Sequence, residues 1–444
     1  MERIVAVIEE RTPRGIAAGV NRLINDGTLV AGSRLPTVRD LARELGVSPA
    51  TVSEGWQALA RLGAIEARGK LGTFVLDTTA ARQPTRYRRI SDGPGHFPLD
   101  LSTGTPDPAL LPDLAAALAR VDHRTLTTSY VDAPVLPGLE ERLRDTWPFA
   151  PERITVVDGA LDALDRLAQL VVRYGDRVIV ENPAFPPLLD LLEGLGAEAV
   201  PVELDADGVV PSSLERGLAS GPVALFIQPR AQNPTGASLT PRRAKALALL
   251  VRRTDVVVIE DDHSGDVAGA PDVSLGLDLP ERTVRIRSYS KSHGPDLRLA
   301  AVGGAGELIA RLETRRMLGP GWSSRLLQAV LCELLDDPVA VAEVAAACDT
   351  YAERRSSLRD ALATHGVVTS RGDGINLWVP VSEERRAIVT LGAQGVGVAP
   401  GTPFEVRPLA SDHVRVTVGL LAEDHAAVAA QVAIAAAVPN RRHV

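Results

Sequence analysis

Lys291 lies in a run of small hydroxyl residues, Ser288 to Arg298, with the sequence SYSKSHGPDLR. Its amine can condense with an aldehyde to form a Schiff base. The hydroxyl groups of Ser288 and Ser290 and the guanidinium of Arg298 are donors suited to a phosphate, because arginine offers a rigid fork of N–H groups. An exposed loop with a solvated lysine would have the same composition. Other segments of the chain must therefore show whether Lys291 is a reactive lysine or a solvated one.

Two segments earlier in the chain can complement such a lysine. The run from Thr155 to Leu161 has the pattern of a strand, a glycine turn and a helix start, and the free N–H groups at Gly159 and Ala160 can hold a phosphate. Phe185, in ENPAF, follows a strand-like run and can stack on a flat ring. A phenylalanine in the core is the commoner explanation for that residue.

Two further segments supply polar groups. Asn233, in the turn QNPTG, can donate to a ring oxygen, although a lone turn of this kind would mean little. The run IEDDH places Asp261 and His263 at the end of an apolar strand. A carboxylate there can face a pyridine nitrogen and keep it protonated, and the alternative is a solvated acidic loop.

The elements that must position these residues alternate between short β-branched runs and helical patterns, which predicts a parallel sheet covered by helices. The predicted strands are 154–157, 177–180, 198–202, 223–227, 256–259 and 284–286. From about Asp337, helical patterns at 339–363 and 383–391 are interleaved with strand-like runs at 374–379 and 414–418, which predicts a smaller α+β subdomain. The Ala-rich stretch 426–438 predicts a packed terminal helix.

The composition is that of a globular protein of two or three domains. The 444 residues are 45% hydrophobic and 23% charged, and with only 3% aromatic residues the core must consist mainly of Ala, Val and Leu. Cys332 and Cys348 form no CxxC pair, so we predict a reducing, cytoplasmic location, no disulfide framework and no metal site. We expect neither a secretion signal nor a membrane span, because no run approaches about 20 apolar residues.

Charge is distributed unevenly along the chain. Residues 1–90 carry 14 Lys and Arg against 9 Asp and Glu, so this part has a net charge of +5 although the whole chain carries −8. The remaining residues therefore carry −13. A mildly basic head on an acidic body is typical of a small DNA-contacting domain joined to a body with another task.

The head, residues 1–76, has the pattern of a helix-turn-helix followed by a wing. Helices are predicted at 13–24, 38–45 and 49–62, and short strands at 64–67 and 73–76. Thr37 with Asp40 forms a capping-box pattern, and Ser48 is a good N-cap before Pro49. The start of the third helix would enter the major groove and the wing tip a minor groove. The candidate DNA contacts are Arg34, Arg39, Ser48, Ala50, Thr51, Arg68, Gly69 and Lys70. The alternative is a small helical docking domain with scattered arginines.

This head resembles the GntR family of winged-helix regulators across its whole length. The matching segments are LPTVRDLA from Leu35, LGVS from Leu45 and GKLGTFV from Gly69. The resemblance implies that Arg39, two residues after LPT, contacts DNA. Pro49 departs from the family, whose members often carry a base-reading arginine there, which implies weaker or altered sequence recognition.

The body resembles the aminotransferases of pyridoxal phosphate (PLP) fold type I over nearly its full length, because the four segments and the lysine run occur in the order of that family. The resemblance implies the following roles: Lys291 forms the Schiff base with PLP; Gly159, Ala160, Ser288, Ser290 and Arg298 hold its phosphate; Phe185 stacks on the ring; Asn233 and His263 lie at the ring hydroxyl; Asp261 faces the pyridine nitrogen; and Arg415 clamps a substrate α-carboxylate.

Three positions depart from the aminotransferase pattern. Leu161 and Asp162 stand where the family usually has Ser, Thr or Gln, so a phosphate donor is missing and an acid is close. His263 stands where a tyrosine usually contacts the ring hydroxyl. These changes imply a lower PLP affinity or altered cofactor electronics.

The fusion of both modules is similar to the MocR-type regulators, which implies a multidomain homodimer of winged helix-turn-helix heads on α/β bodies. We divide the chain into the head, a linker at 77–99 and a PLP-binding body at 100–444. The resemblance implies a transcriptional regulator that senses an amine, an amino acid or PLP itself through the Schiff-base lysine. Two alternatives remain open at this point: a working aminotransferase with an accessory head, and a regulator that has lost PLP. Arginines of the linker either contact the DNA backbone or belong to a solvated tether.

Overall fold

The computed structural model describes residues 1–8, 10–61, 64–76, 84–91, 97–122, 126 and 133–437. The chain divides into two compact units, one of Met1–Pro84 with Gly194–Gly196 and the other of Thr85–Glu193 with Ala197–Val444. In the described residues, no helix is both long and apolar enough to cross a membrane. The same residues contain no cluster of three or more His, Cys, Asp or Glu side chains that could hold a metal ion.

The amino-terminal unit is a winged helix-turn-helix, as predicted. Thr37 Oγ1 accepts from Asp40 N at 3.2 Å and donates to Asp40 Oδ2 at 2.6 Å, and Ser48 Oγ accepts from Thr51 N at 3.1 Å, so both predicted caps are confirmed. Gly46 ends the second helix of the motif with φ of 65°, a conformation that glycine adopts without steric cost. The helices are α1 (Glu2–Ala6), which was not predicted, α2 (Pro13–Asn25), α3 (Val38–Leu45) and α4 (Pro49–Arg61), and the wing strands are β1 (Ile65–Ala67) and β2 (Thr73–Val75).

The core of this unit is formed by the apolar faces of its helices and by residues of both wing strands. Ile16, Val20, Leu41, Val52 and Leu59 are fully buried at its centre. The wing tip forms a single 3-10 turn, Gly69–Leu71, which was not predicted. The predicted end of the third helix at 62–63 lies outside the described residues.

An eight-stranded sheet forms the centre of the second unit. Its strands lie in the order β4-β11-β10-β9-β8-β5-β6-β7, and only β11 and β7 run antiparallel to their neighbours. The central strands are continuous apolar runs because helices cover both faces of a parallel sheet. The bounds are β4 (Arg153–Val157), β5 (Arg177–Asn182), β6 (Glu198–Asp205), β7 (Gly208–Val209), β8 (Ala224–Ile227), β9 (Val257–Asp262), β10 (Thr283–Ser288) and β11 (Ala300–Gly304).

Helices pack around this sheet and form two apolar clusters with it. Leu139, Leu143 and Ile154 belong to one cluster, and Ile179, Leu225 and Leu247 belong to the other. The helices of this part are α5 (Thr85–Ser91), α6 (Leu114–Arg120), α7 (Pro137–Asp145), α8 (Ala160–Val171), α9 (Pro186–Gly194), α10 (Pro211–Leu218), α11 (Pro241–Val251), α12 (Gly306–Arg316) and α13 (Arg325–Asp336).

The carboxyl-terminal part forms the predicted smaller α+β subdomain. Its four-stranded sheet has the order β12-β14-β13-β3, and β3 (Leu99–Leu101) reaches it from the beginning of the second unit, which the sequence pattern did not indicate. The remaining elements are β12 (Leu377–Val381), β13 (Val396–Pro400), β14 (Asp412–Val416), α14 (Pro338–Thr364), α15 (Glu384–Ala393) and α16 (His425–Ala436).

Candidate functional site: a lysine pocket at the sheet edge

The carboxyl ends of parallel strands β4, β5, β8, β9 and β10 meet at one edge of the sheet, where ligands of open α/β sheets bind. The register pairs Ile286 with Asp261 and Phe226 with Ile259, so the segments that follow these strands start at the same level. The strand ends therefore bring the candidate residues of the body to one place, although they are far apart in the sequence.

The three acids that end β9 lie in the buried sheet and do not form a solvated loop. Side chains on a strand alternate between faces, so Glu260 and Asp262 share one face and Asp261 faces the other. On the shared face, Arg285 donates to Glu260 at 3.1 Å and to Asp262 at 3.0 Å, and Arg230 donates to Asp262 at 2.6 Å. This ion network neutralises two of the acids and leaves Asp261 alone on the opposite face.

Asp261 keeps one carboxylate oxygen without a partner. Gln228 Nε2 donates to Asp261 Oδ2 at 2.8 Å, whereas Oδ1 is buried and accepts no hydrogen bond. Burial raises the pKa of Asp261 to about 6, against the opposing effects of the Gln228 hydrogen bond and the charge of Lys291. An unpartnered buried carboxylate oxygen is costly, so this atom is suited to an N–H donor from a ligand.

Phe185 and Asp261 face the same space. Together with Gln228, Glu181 and apolar side chains they line a cavity of about 10 Å³. Phe185 is half-buried, whereas its neighbour Ala184 is buried. The aromatic ring is therefore part of the pocket wall rather than of the closed core.

Lys291 lies in the segment after β10, where the charges of Asp261 and Arg415 act on its amine. Its Nζ lies 2.9 Å from His263 Nδ1 and 3.4 Å from the His263 carbonyl oxygen. Burial lowers the pKa of Lys291 to about 8, and the charge of Asp261 opposes this shift while that of Arg415 adds to it. About a tenth of the amine is thus uncharged at pH 7, far more than for an ordinary lysine, and only the uncharged form is a nucleophile.

The turn after β4 forms a candidate phosphate cradle. Gly159, with φ of 99°, is the N-cap of α8, so the N–H groups of Ala160 and Leu161 begin the helix without partners in it. Arg298 Nη2 donates to Asp158 O at 3.2 Å, and a Cβ on Gly159 would lie 3.4 Å from that nitrogen. Arg298 thus lies over the turn, where its charge can reinforce the helix terminus.

Ser288 and Ser290 lie beside the lysine. The Ser290 N–H donates to Ser288 Oγ at 3.3 Å, and Ser288 is buried. Leu161 is 40% exposed, which agrees with the absence of a hydroxyl donor at this position. The carboxylate of Asp162 is neutralised, because Arg166 donates to it at 2.8 Å and Arg316 at 3.4 Å.

Asn233 and Arg415, from the turn after β8 and from β14, contact one another. Arg415 Nη1 donates to Asn233 Oδ1 at 3.3 Å, and Nη2 donates to the Ser102 carbonyl. The guanidinium lies 5.2 Å from the centre of the Phe404 ring, its Nε has no hydrogen-bond partner, and burial lowers its pKa to about 10. A buried arginine with unused donor capacity is suited to a carboxylate.

The sequence analysis missed the buried amides and acid beneath the pocket. Gln228 Oε1 accepts from Asn233 N at 2.8 Å, so Gln228 joins Asn233 to Asp261. Glu181 accepts from Gln228 N and from Gln232 Nε2, each at 3.2 Å, and burial raises its pKa to about 8. A polar residue directly after an apolar strand, as Gln228 is after β8, was the available signal.

The candidate DNA-contacting residues cluster on two parts of the amino-terminal unit. Arg39 is exposed in the first turn of α3, and Ser48, Ala50 and Thr51 lie at the start of α4. The hydroxyls of Ser48 and Thr51 are 2.8 Å apart, so each is already hydrogen-bonded.

The second part is the wing. Arg34 packs against Gly72, where a Cβ would lie only 2.7 Å from its Nε. Arg68 pairs with Glu66 at 2.7 Å and lies over the Phe74 ring. Gly69 is exposed at the tip with φ of 55°, and the side chain of Lys70 lies outside the described part of the chain.

The donors and acceptors at these strand ends fit PLP in their chemistry. It offers an amine for an aldehyde at Lys291, an unpartnered buried carboxylate oxygen for a pyridinium N–H at Asp261, and a glycine turn with Arg298 for a phosphate. Each reactive or charged group of the cofactor would thus have a complementary group of the protein.

Both parts of the chain, the amino-terminal head and the body, match known protein families. Residues 98–432 match the model of aminotransferase class I and II, and residues 12–75 match that of bacterial regulatory proteins of the gntR family. The α-aminoadipate aminotransferase LysN of Thermus thermophilus superposes with a TM-score of 0.70 at 22% identity, covering 80% of this chain and 95% of LysN, which shows the fold.

Two curated relatives whose names describe transcriptional regulators match most of this chain. The vitamin B6 salvage pathway transcriptional repressor PtsJ of Salmonella typhimurium is 37% identical over 94% of this chain and 96% of its own length. The pyridoxine biosynthesis transcriptional regulator PdxR of Corynebacterium glutamicum is 29% identical over 69% of this chain and 67% of its own length. With a gntR-family head on an aminotransferase body that fits PLP, this chain belongs to the MocR-type transcriptional regulators and is a PLP-dependent DNA-binding regulator.

Proposed function

We propose that this protein reports the supply of a vitamin B6 aldehyde, with PLP itself as the effector that Lys291 captures. The observation that carries the proposal is the unpartnered, buried Oδ1 of Asp261 in the pocket that Lys291 enters. Both regulators compared above have names that concern vitamin B6 or pyridoxine, which supports the same ligand class. Occupancy of the pocket alters DNA binding only if the ligand binds one conformation more tightly than the other.

In this proposal each pocket residue has one task. PLP, when bound, supplies an aldehyde that exchanges between amines and a ring that withdraws electrons from the attached carbon. Lys291 Nζ would hold the aldehyde carbon, and Asp261 would accept the pyridinium N–H. Phe185 would cover one ring face, and Asn233 and His263 would contact the ring hydroxyl.

The phosphate would be held by the N-terminus of α8, by an arginine and by two serine hydroxyls. The N–H groups at Gly159 and Ala160 and the guanidinium of Arg298 supply most of the positive potential. Ser288 and Ser290 supply hydroxyl donors. The ion pairs of Asp162 with Arg166 and Arg316 keep its carboxylate from repelling the phosphate, so the departure at this position is compatible with binding.

An amino acid is the second class of ligand that the pocket supports. Arg415 makes one 3.3 Å hydrogen bond to Asn233 and one to a carbonyl, and both are neutral acceptors that a carboxylate would displace. We propose that an amino acid or a related amine competes with Lys291 for the aldehyde and modulates the response.

The pocket is connected to helix α5, which leads towards the head in the sequence. Arg86 Nη1 donates to the carbonyls of Pro403 and Glu405 at 3.2 and 2.8 Å, and the intervening residue, Phe404, carries the ring beside Arg415. The Phe404 carbonyl also accepts from Ala184 N at 2.8 Å, next to Phe185. The loop at 402–407 thus touches the ligand-binding arginine, the stacking segment and α5.

This loop gives a physical route for the signal. Two residues at the start of α5 are held separately by Asp190, which accepts from Arg86 N at 3.1 Å and Tyr87 N at 2.9 Å. We propose that a ligand-induced shift of Phe404 changes the Arg86 contacts and so the position of α5. The arginines of this segment would then act in coupling rather than only as a solvated tether.

We further propose a homodimer that works on double-stranded DNA in the cytoplasm. Met317 and Leu318, at the end of α12, are 77% and 92% exposed, and large apolar side chains left in water favour association. Two heads would then contact two half-sites. Arg34, Arg39, Arg68, Gly69 and Lys70 would bind the backbone and the minor groove, and Ser48, Ala50 and Thr51 would face the major groove.

The test combines a spectrum with DNA binding. Purified wild-type protein titrated with PLP should develop the absorbance of a lysine-bound aldehyde, borohydride should fix it at Lys291, and the affinity for DNA selected from a random pool should change with occupancy. Lys291→Ala should lose the band and the response together, whereas Lys245→Ala, on α11, should retain both. A response that survives in Lys291→Ala would refute the proposal, and sustained conversion of an amino acid and a 2-oxo acid would favour an enzyme.

A further inference from the structure

The imidazole of His263 is fixed in one tautomer by its two neighbours. Its Nε2 lies 2.9 Å from the Ala231 carbonyl oxygen, which only accepts, so Nε2 must carry the hydrogen. Nδ1 then has a free lone pair, and it lies 2.9 Å from Lys291 Nζ, which must donate. The Ser264 hydroxyl, 3.4 Å from Nδ1, is a longer second contact.

The carbonyl that fixes this tautomer belongs to a residue in an unusual conformation. Ala231 has φ of 47°, in the left-handed region that non-glycine residues rarely occupy. Its N–H donates to Ser238 Oγ at 2.9 Å, and its Cβ lies so close to Gly374 that a Cβ there would approach to 2.7 Å. Strained residues of this kind persist where the surrounding structure over-determines them, and they cluster at functional sites.

His263 also remains an acceptor throughout the working pH range. Burial lowers its pKa to about 3, and the charges of Lys291 and Arg415 act in the same direction while Asp262 opposes them. The lysine itself faces Asp261, Asp262 and Arg415. Of the two groups in contact, only Lys291 therefore changes its protonation near neutral pH.

We propose that His263 is a positioning residue that holds Lys291 for the capture and release of aldehydes from solution. This inference rests on the proposed function. It gives His263 a second role, towards the lysine amine, beside the proposed contact with the ring hydroxyl. Both hydrogen-bond contacts of the lysine amine in the described structure come from His263, one from Nδ1 and one from its carbonyl. The contact at Nδ1 engages one N–H bond and leaves the lone pair of the neutral amine available.

The reaction that this arrangement serves is a condensation that needs no further reactant. The nitrogen lone pair forms a C=N bond with the aldehyde carbon, and both amine hydrogens leave with the aldehyde oxygen as one water. Only the neutral amine can begin it, so a lysine with a lowered pKa and a fixed direction reacts fastest.

The experiment follows the capture of PLP by full-length protein stripped of cofactor, using stopped-flow absorbance across the pH range that includes the lysine pKa. The wild-type rate should rise with pH through about 8. His263→Phe keeps the ring volume and removes the acceptor, and it should slow capture by roughly 10- to 100-fold, since small misplacements of a reacting group cost this much. His263→Asn returns an acceptor near the Nδ1 position and should recover to within about threefold of wild type.

His263→Gln is the matched control, because its amide reaches the position of Nε2 rather than Nδ1, and it should not rescue the rate. If His263→Phe does not fold, as judged by thermal unfolding and by DNA binding without ligand, the Asn and Gln pair decides alone. Wild-type rates and pH profiles in His263→Phe, or in both amide variants, would overturn the inference. Failure of the wild-type protein to capture PLP would instead overturn the proposed function.

Discussion

Gln228 Nε2 donates a 2.8 Å hydrogen bond to one oxygen of Asp261 and leaves the other oxygen of that carboxylate buried without a partner. The amide thus orients the carboxylate and does not satisfy it. The same amide accepts from the Asn233 N–H at 2.8 Å, so Gln228 links the carboxylate of Asp261 to the backbone of Asn233.

The first prediction concerns this unpartnered oxygen. Asp261→Asn should weaken PLP binding by about 10- to 100-fold, because a hydrogen bond to a charged group is lost. Spectral titration of the apoprotein measures the dissociation constant. Asp296→Asn, an exposed acid in the segment after Lys291, is the control and should bind as the wild type does. If the wild type, Asp261→Asn and Asp296→Asn bind PLP with equal affinity, Asp261 does not contact the cofactor.

Glu181 should make the apoprotein less stable as the pH rises. Burial raises its pKa from 4.5 to about 8, so the stability that it contributes is fully present below 4.5 and is lost as the pH rises through 8. Glu181→Gln has no such group. The difference in free energy of unfolding, wild type minus variant, should therefore fall between about pH 5 and pH 8 in urea titrations.

Two points make this measurement specific. Asp261, whose pKa is raised to about 6, is present in both proteins, so its contribution largely cancels. Glu193→Gln, which removes an exposed carboxylate, should leave the pH dependence unchanged. A difference that rises with pH would show that the hydrogen bonds from Gln228 and Gln232 outweigh burial.

Arg86 should be needed for coupling and not for ligand binding. Arg86→Ala removes the contacts with the Pro403 and Glu405 carbonyls, so PLP should still bind but should change the affinity for DNA much less than in the wild type. Because coupling is reciprocal, DNA should likewise change the affinity for PLP less. Arg89→Ala, an exposed arginine of the same helix, is the control. Full coupling in Arg86→Ala would exclude this route.

Arg39 should act through a phosphate. It is exposed in the first turn of α3, so Arg39→Ala should weaken binding to selected and unselected DNA alike and lower the slope of log affinity against log salt by about 1. Fluorescence anisotropy at several salt concentrations measures both quantities. Arg14→Ala, exposed on α2, should leave the slope unchanged. A loss restricted to one DNA sequence would instead indicate a contact with a base.

Leu318 should contribute to self-association. Leu318→Asp places a charge on a side chain that is 92% exposed in the single chain, so it costs little within the chain and should raise the dimer dissociation constant if a partner covers it. Sedimentation equilibrium compares it with Val368→Asp, which is 78% exposed on the carboxyl-terminal subdomain. Equal association of both variants and the wild type would place the interface elsewhere.

Local chemistry made much of the chain predictable from the sequence. The caps at Thr37 and Ser48 and the glycine at Gly46 are local signals, so helices α2, α3 and α4 of the head were predicted with nearly correct bounds, whereas α1 was not predicted. Apolar strand runs predicted most of the parallel sheet, and the resemblance of the ordered pocket motifs to an aminotransferase family implied the PLP fold. Strands β3, β7, β11 and β13 were not predicted, and β3 gains its stability from long-range pairing with β13.

What the sequence by itself determined is which residues can bind and react, because that depends on their type and their place after each strand. Only the tertiary structure decided how they are partnered. It placed Glu260 and Asp262 against Arg285 and left one oxygen of Asp261 without a partner, it brought Arg316 to Asp162, and it set His263 against Lys291. These partners lie more than 20 residues apart in the chain, and burial, which fixes their charge states, exists only once the strands have assembled.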